Sequence, residues 1–121
     1  MRKRVKRGLR AAVSAARSSH FYAHRVGAAI FKGAAVISLG CNLAKTHPQS
    51  PDCYSTHAEF SAILKGKDVR GASLFVARLT RTNKVSCAKP CESCQQLIEK
   101  AGISRVFYTN YNGEMEEYKV A

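Results

Sequence analysis

The order of residues predicts an α/β fold built on a mixed sheet, and three observations carry that reading. Apolar, β-rich runs of strand length stand at residues 26–31, 34–39, 73–79 and 104–109. Between and before them lie segments with helical spacing, over Val5 to Ala16, from 57 and at 91–101. Finally, Asn110-Tyr111-Asn112-Gly113 separates the fourth run from a partly alternating tail, residues 114–120. An Asn-Gly turn joins antiparallel strands, whereas a parallel return needs a crossover of about a dozen residues. The expectation is therefore five strands, the last antiparallel to the fourth.

Each element has a local cause. In the first helix Val5, Leu9, Val13 and Ala16 recur at near-helical spacing beneath Arg2, Lys3, Arg4, Lys6, Arg7 and Arg10, which gives an apolar stripe and a basic outer face. Lys32-Gly33 is a tight-turn signal that makes a hairpin of the first two strands, and Gly40-Cys41-Asn42 closes the second. Ala58, Phe60, Ala62, Ile63 and Leu64 give the second helix its apolar side. Pro90 opens the third helix and Gly102 follows its end. Residues 46–52 form the clearest irregular segment.

At 121 residues and 45% hydrophobic, the chain suits one domain over 1–121 with a real core. No apolar run approaches membrane-spanning length, and the amino terminus lacks the apolar stretch of a secretory signal. A cytoplasmic, reducing setting without a membrane partner is expected, and the five cysteines do not suggest a disulfide framework. Charge is unevenly spread. The first acidic residue is Asp52, so residues 1–51 hold ten Lys and Arg with no carboxylate, whereas 52–121 set ten bases against eight acids. The basic face of the first helix has two readings: it contacts nucleic-acid phosphates, with Lys3, Lys6 and Arg10 as the candidates, or it is a solvated surface. A membrane-surface role is weaker, because the apolar stripe has no aromatic anchors.

His57-Ala58-Glu59 and Pro90-Cys91-Glu92-Ser93-Cys94 carry the chemistry. They supply one imidazole and two thiolates for a metal, plus a carboxylate that is not needed as a ligand. Three ligands leave a tetrahedral zinc with one open position, the arrangement of a catalytic site. Cys91 and Cys94 are three apart, so on the first turn of a helix they share a face, and the positive dipole end favours anionic sulfur. The alternatives are a redox pair or a structural clip, which needs a fourth ligand from Cys41, His47, Cys53 or Cys87. Outside the metal shell, Asn42 both donates and accepts, which suits a sugar hydroxyl or base edge, or serves a turn. Tyr54, in the loop before His57, is placed to close over a pocket, and Phe21 or Tyr22 either stack on a base or fill the core. His20, His24 and His47 are too scattered for a second metal site.

The motif pair, read with Asn42, resembles the cytidine deaminase superfamily. Over most of the chain the resemblance implies a three-layer α/β/α fold, one Zn2+ per chain held by His57, Cys91 and Cys94, and hydrolytic replacement of a ring amino group by water, with Glu59 moving the protons. It also implies substrate contacts from Asn42, from backbone around Val26, Gly27 and Ala28, and from Ala58. An antiparallel last strand is similar to free-cytidine deaminases and bacterial toxin deaminases; tRNA adenosine deaminases and vertebrate polynucleotide cytosine editors usually have a helix between those strands. The basic amino-terminal half favours cytosine in single-stranded DNA or RNA as substrate. The rival is a free cytidine, deoxycytidine or deoxycytidylate deaminase that builds its pocket as a homo-oligomer. Adenosine in RNA is a third reading, and an idle nucleic-acid-binding relative with structural zinc a fourth, against which the intact Glu59 stands.

Overall fold

Strands align in the order β2-β1-β3-β5-β6 in a computed structural model that describes residues 3–19, 24–42 and 57–120. The elements are α1 (Lys3–Arg17), β1 (Arg25–Lys32), β2 (Ala35–Cys41), α2 (Ala58–Gly66), β3 (Ser73–Leu79), β4 (Val85–Ser86), α3 (Glu92–Ala101), β5 (Arg105–Thr109) and β6 (Met115–Lys119). The five expected strands are present, and a sixth, the two-residue β4, pairs antiparallel with the end of β3. Only β3 and β5 pair in parallel; the connection between them contains α3, as a parallel return requires. Glu116 lies opposite Tyr108 and Tyr118 opposite Val106, so β6 is antiparallel to β5 as the Asn112-Gly113 turn predicts.

Alternation along the strands sends side chains to two cores. On one face Ile30, Leu74, Val76, Ile98, Ile103 and Val106 pack with Ala58 and Ala62, under α2 and α3. On the other, Phe31, Phe75 and Phe107 pack under α1, with Phe75 and Phe107 stacked at 4.6 Å and Phe31 edge-on to Phe75 at 5.3 Å. Two layers of helix thus enclose one sheet.

The stripe of α1 differs from its sequence reading. Val5 and Ala16 are buried as read, but Leu9 and Val13 are only partly buried, and Gly8, Ala12 and Ala15 complete the contact instead. The reason is close approach: a Cβ on Gly27 would lie 2.0 Å from the Ala12 carbonyl oxygen and 2.3 Å from the Ala16 nitrogen. Small residues on both sides let helix and strand meet backbone to backbone. Similarly, a Cβ on Gly40 would lie 2.6 Å from the Ala62 nitrogen and 2.8 Å from the Ala58 carbonyl oxygen, which fixes the first turn of α2 against the end of β2. The Ser38 hydroxyl donates to the Ala62 carbonyl at 2.6 Å beside that contact. Leu64, read as part of the apolar side of α2, is 52% exposed, and the buried side of the helix is Ala58, Glu59, Phe60, Ser61 and Ala62 in its first half. α3 ends in the left-handed conformation at Gly102, whose N–H bonds the Glu99 and Ile98 carbonyls. Among the described residues no helix is long and apolar enough to cross a membrane.

Candidate active site

Two helix N-termini meet at one end of the sheet. His57 is the N-cap of α2 and Cys91 the N-cap of α3, both with extended backbone (φ −71°, ψ 151° and φ −69°, ψ 167°), and neither side chain caps its helix. Ser, Thr, Asp or Asn normally stands at such positions and bonds the free first-turn amides. Here the side chains turn toward each other instead. His57 Nδ1 lies 3.1 Å from Cys94 Sγ and 3.8 Å from Cys91 Sγ, and all three donor atoms fall within 4.8 Å of one another.

That donor set fits zinc. Bonds of about 2.0–2.1 Å to nitrogen and about 2.3 Å to sulfur, in tetrahedral array, set N···S at about 3.5 Å and S···S at about 3.8 Å. The observed N···S separations bracket the first value, so small side-chain adjustments close the triangle on one ion. Cys91 and Cys94 are free thiols, as are Cys41 and Cys87, and neither of the latter joins the metal-capable group. Among the described residues no fourth protein ligand converts the site to a clip. Cys41 and Cys87 are half-buried residues at strand ends. His47 and Cys53, with His20, Phe21, Tyr22 and Tyr54, lie outside the described residues.

Glu59 stands in the first turn of α2, 5% exposed. Burial pushes its carboxyl above the ordinary value of 4.5, against the opposing pull of its own backbone N–H, the His57 charge and the Cys94 thiol. Burial, and after it the carboxylate of Glu59 and the sulfur of Cys91, also pushes the Cys94 thiol up. Burial is the first cause of both shifts. A divalent cation among the three ligands favours thiolate and carboxylate together.

The loop that delivers Cys91 is held by β5. The Ala88 N–H donates to the Thr109 carbonyl at 2.9 Å, the buried Thr109 hydroxyl to the Ser86 carbonyl at 2.5 Å, and the Gln95 side-chain amide to the Pro90 carbonyl at 2.9 Å. The pocket in front of the ligands has a volume of about 340 Å³ and is lined by His24, Val26, Asn42, His57, Ala58, Glu59, Cys87, Ala88, Lys89 and Cys91. A larger open groove between the far ends of α2 and α3, beside Lys67, Arg70 and Lys100, contains none of these residues.

Asn42 lines the pocket and also ties it together. Its Oδ1 accepts from the Val26 N–H at 2.9 Å and from the Ser19 hydroxyl at 2.6 Å, while Nδ2 donates to the His24 carbonyl at 2.6 Å. One Nδ2 hydrogen is left for a ligand. Gly27 and Ala28 are buried beside Val26, Gly27 turned to α1 and Ala28 to the core under α2. Lys3, Lys6 and Arg10 are exposed but are not brought to this pocket. Sequence reasoning missed Cys87, Ala88 and Lys89 as wall residues, although their place just before Pro90-Cys91 was a usable signal. It missed Ser19 for a better reason, since no local pattern joins residues 23 apart.

Comparison with known proteins agrees with this geometry. The structure is similar to a cytidine deaminase from Burkholderia pseudomallei, with TM-score 0.71 and 22% identity over 99% of this chain and 94% of that one. It is similar to the apo dCMP deaminase of the cyanophage S-TIM5 at TM-score 0.67 and 22% identity, covering 92% and 86%, and to the Mycobacterium leprae cytidine deaminase at 0.59 and 20%, covering 93% and 91%. At these identities the likeness shows the fold. A search of curated protein sequences gave no match. The family model described as the cytidine and deoxycytidylate deaminase zinc-binding region matches residues 2–110, nearly the whole sequence, and with the His57, Cys91 and Cys94 triangle beneath it the chain belongs to that zinc-binding deaminase family.

Proposed function

We propose that the protein hydrolyses the amino group of cytosine in a free nucleoside or nucleotide, giving uracil and ammonia. The observation that carries this reading is the β5–β6 hairpin, in which the last strand is antiparallel and no helix intervenes. Within the superfamily that arrangement is similar to free-cytidine deaminases and bacterial toxin deaminases, whereas tRNA adenosine deaminases and vertebrate polynucleotide cytosine editors usually have a helix there. Two further facts support it: the similar structures from Burkholderia pseudomallei and the cyanophage are described as cytidine and dCMP deaminases, and Lys3, Lys6 and Arg10 of α1 do not line the pocket. This departs from the expectation of single-stranded nucleic acid as substrate, which rested on net charge.

His57, Cys91 and Cys94 would hold the zinc ion, which when bound would supply a water activated as a nucleophile near neutral pH. The chain's own part is proton handling and placement. Glu59 accepts a proton as water adds to the amino-bearing carbon, delivers it to the neighbouring ring nitrogen, and carries the second proton to the amino group as the C–N bond breaks. Its raised affinity for protons suits a group that must both take and give near neutrality. Asn42, held rigid by three hydrogen bonds, offers its remaining N–H to the sugar or base, and Val26 and Ala88 wall the ring.

The test is parallel incubation with cytidine, deoxycytidine, deoxycytidylate and a cytosine-containing single strand, read by product mass and ammonia release. Turnover of a free substrate is expected, and Glu59→Gln should keep zinc while losing about two to four orders of magnitude in rate. Deamination of the oligonucleotide alone overturns the substrate reading. Undiminished activity in zinc-loaded Glu59→Gln overturns the role of Glu59.

A further inference from the structure

We propose that α1 is a nucleic-acid docking helix that grips phosphates, chiefly through its N-terminal half, which lies away from the catalytic pocket. Lys3, Arg7, Arg10, Ser14 and Arg17 follow one another at spacings of three or four, so they form one stripe along the helix, and all are exposed. Lys6 and Arg4 flank it. The stripe lies opposite the side that packs on the sheet through Val5, Gly8, Ala12 and Ala15. It runs about 21 Å, at a rise of about 1.5 Å per residue.

Three features point to a polyanion. Among the described residues none of these cations has an ion-pair partner; Arg7 donates to the Ala34 carbonyl at 3.0 Å and lies over the Phe31 ring, but meets no carboxylate. Three of the six, Lys3, Arg4 and Lys6, stand in the first turn, at the positive end of the helix dipole, where cations weaken the helix and an anion strengthens it. Helix stability therefore does not account for their placement, whereas phosphates facing the same N-terminal turn complement both charge and dipole. Third, the exposed stripe consists of Lys, Arg and Ser, the side chains that donate to phosphate oxygens.

Nucleic acid is favoured over an anionic membrane because the apolar side of α1 is occupied by the sheet and its outer side carries no large apolar or aromatic residue to insert. Separation from catalysis follows from the helix direction. Ser19, just past the C-terminal end, bonds Asn42 at the pocket, whereas Arg7 bonds Ala34 in the β1–β2 turn at the other end of β1.

The test uses the full chain and a labelled thymidine homopolymer, which contains no cytosine and cannot be a substrate. Binding is followed by fluorescence anisotropy from low to moderate salt. Affinity should fall with a log–log slope of about −0.7 for each phosphate neutralised. Lys3→Gln/Lys6→Gln/Arg10→Gln should flatten that slope by about 2, leave kcat/KM for cytidine unchanged and leave Tm unchanged or higher; Lys3→Arg/Lys6→Arg/Arg10→Lys should bind as the parent does. Equal slopes for parent and the glutamine variant, or binding to phosphatidylserine vesicles without binding to the homopolymer, would overturn the proposal. So would loss of binding in the charge-conserving variant.

Discussion

Under α1 the sheet meets three phenylalanines and a helix side made of valine, glycine and alanines; under α2 and α3 it meets aliphatic side chains and, at one end, a buried carboxylate and a buried thiol. The α1 face is built for close packing, with ring stacking at 4.6 Å and a helix pressed to backbone contact on Gly27. The α2/α3 face gives up stabilising features where the chemistry lies. Both N-caps turn their side chains to the metal-capable triangle and do not cap their helices, and Glu59 and Cys94 are buried against their own preference for water. One layer thus supplies the rigidity that lets the other hold groups in unfavourable states.

The largest expected effect falls on the α2/α3 face. Cys94→Ala should lose zinc and all measurable deamination, and it should also lose the stability that bound metal confers, about 4 kcal/mol when free zinc exceeds its dissociation constant a thousandfold. Metal analysis and thermal melts with and without chelator measure both. A zinc-replete variant that melts with the parent would break the comparison by showing that Cys94 is only core.

On the α1 face Gly8→Ala sets two effects in opposition. Helix propensity alone favours alanine by about 1 kcal/mol. A Cβ there, however, would lie 2.3 Å from a ring carbon of fully buried Phe75, and overpacking of this kind costs about 1–3 kcal/mol. The clash should win, so net destabilisation in urea is expected with zinc stoichiometry and kcat unaltered. Stabilisation would mean that the aromatic layer yields more easily than its packing suggests.

Glu59→Gln sharpens the contrast through pH. The folded-state pKa of Glu59 is raised above 4.5 by burial, so its favourable contribution is complete below that value and is lost as pH rises through the elevated folded one. Metal-free Glu59→Gln should accordingly be more stable than the metal-free parent near neutral pH, and the gap should close on acidification below 4.5. Denaturant titrations across that window in chelator decide it; parallel curves would remove burial as the cause. Zinc should shrink the difference, because a cation favours the ionised carboxyl.

The smallest effect concerns Tyr118 on β6. Its hydroxyl is buried without a partner among the described residues, and burial, followed by Glu59 and Tyr108, pushes its pKa up to about 12. Removing an unsatisfied hydroxyl in Tyr118→Phe should be neutral or stabilising by about 1 kcal/mol. Since the raised folded value favours the neutral phenol, the parent should lose stability as pH rises from 10 toward about 12, and the variant should lose less. Ultraviolet titration of the phenolate gives an independent reading of the same shift.

What was legible in the sequence is what a few neighbouring residues determine. Cys91 and Cys94 share a face because they are three apart on a helix start; Asn112-Gly113 reverses the chain; the strands follow from short apolar runs. Each rests on backbone geometry within one turn or one pleat, so the fold class and the pairing of Cys91 with Cys94 on one helix turn could be read without coordinates. The tertiary structure decided the rest, because the rest depends on which surfaces are buried together. His57 reaches 3.1 Å from Cys94, 37 residues away, only once α2 and α3 pack side by side over the sheet, and that packing also buries Glu59. Asn42 became a three-way tie between α1, β1 and β2 through contacts up to 23 residues distant. Leu9 and Leu64, apolar by type, stayed partly or largely exposed because helix position, and not hydrophobicity, set what reached the core. The basic residues counted in the sequence gained a direction only when α1 was laid along β1 with its Ser19 end at the pocket and its Lys3 end away from it.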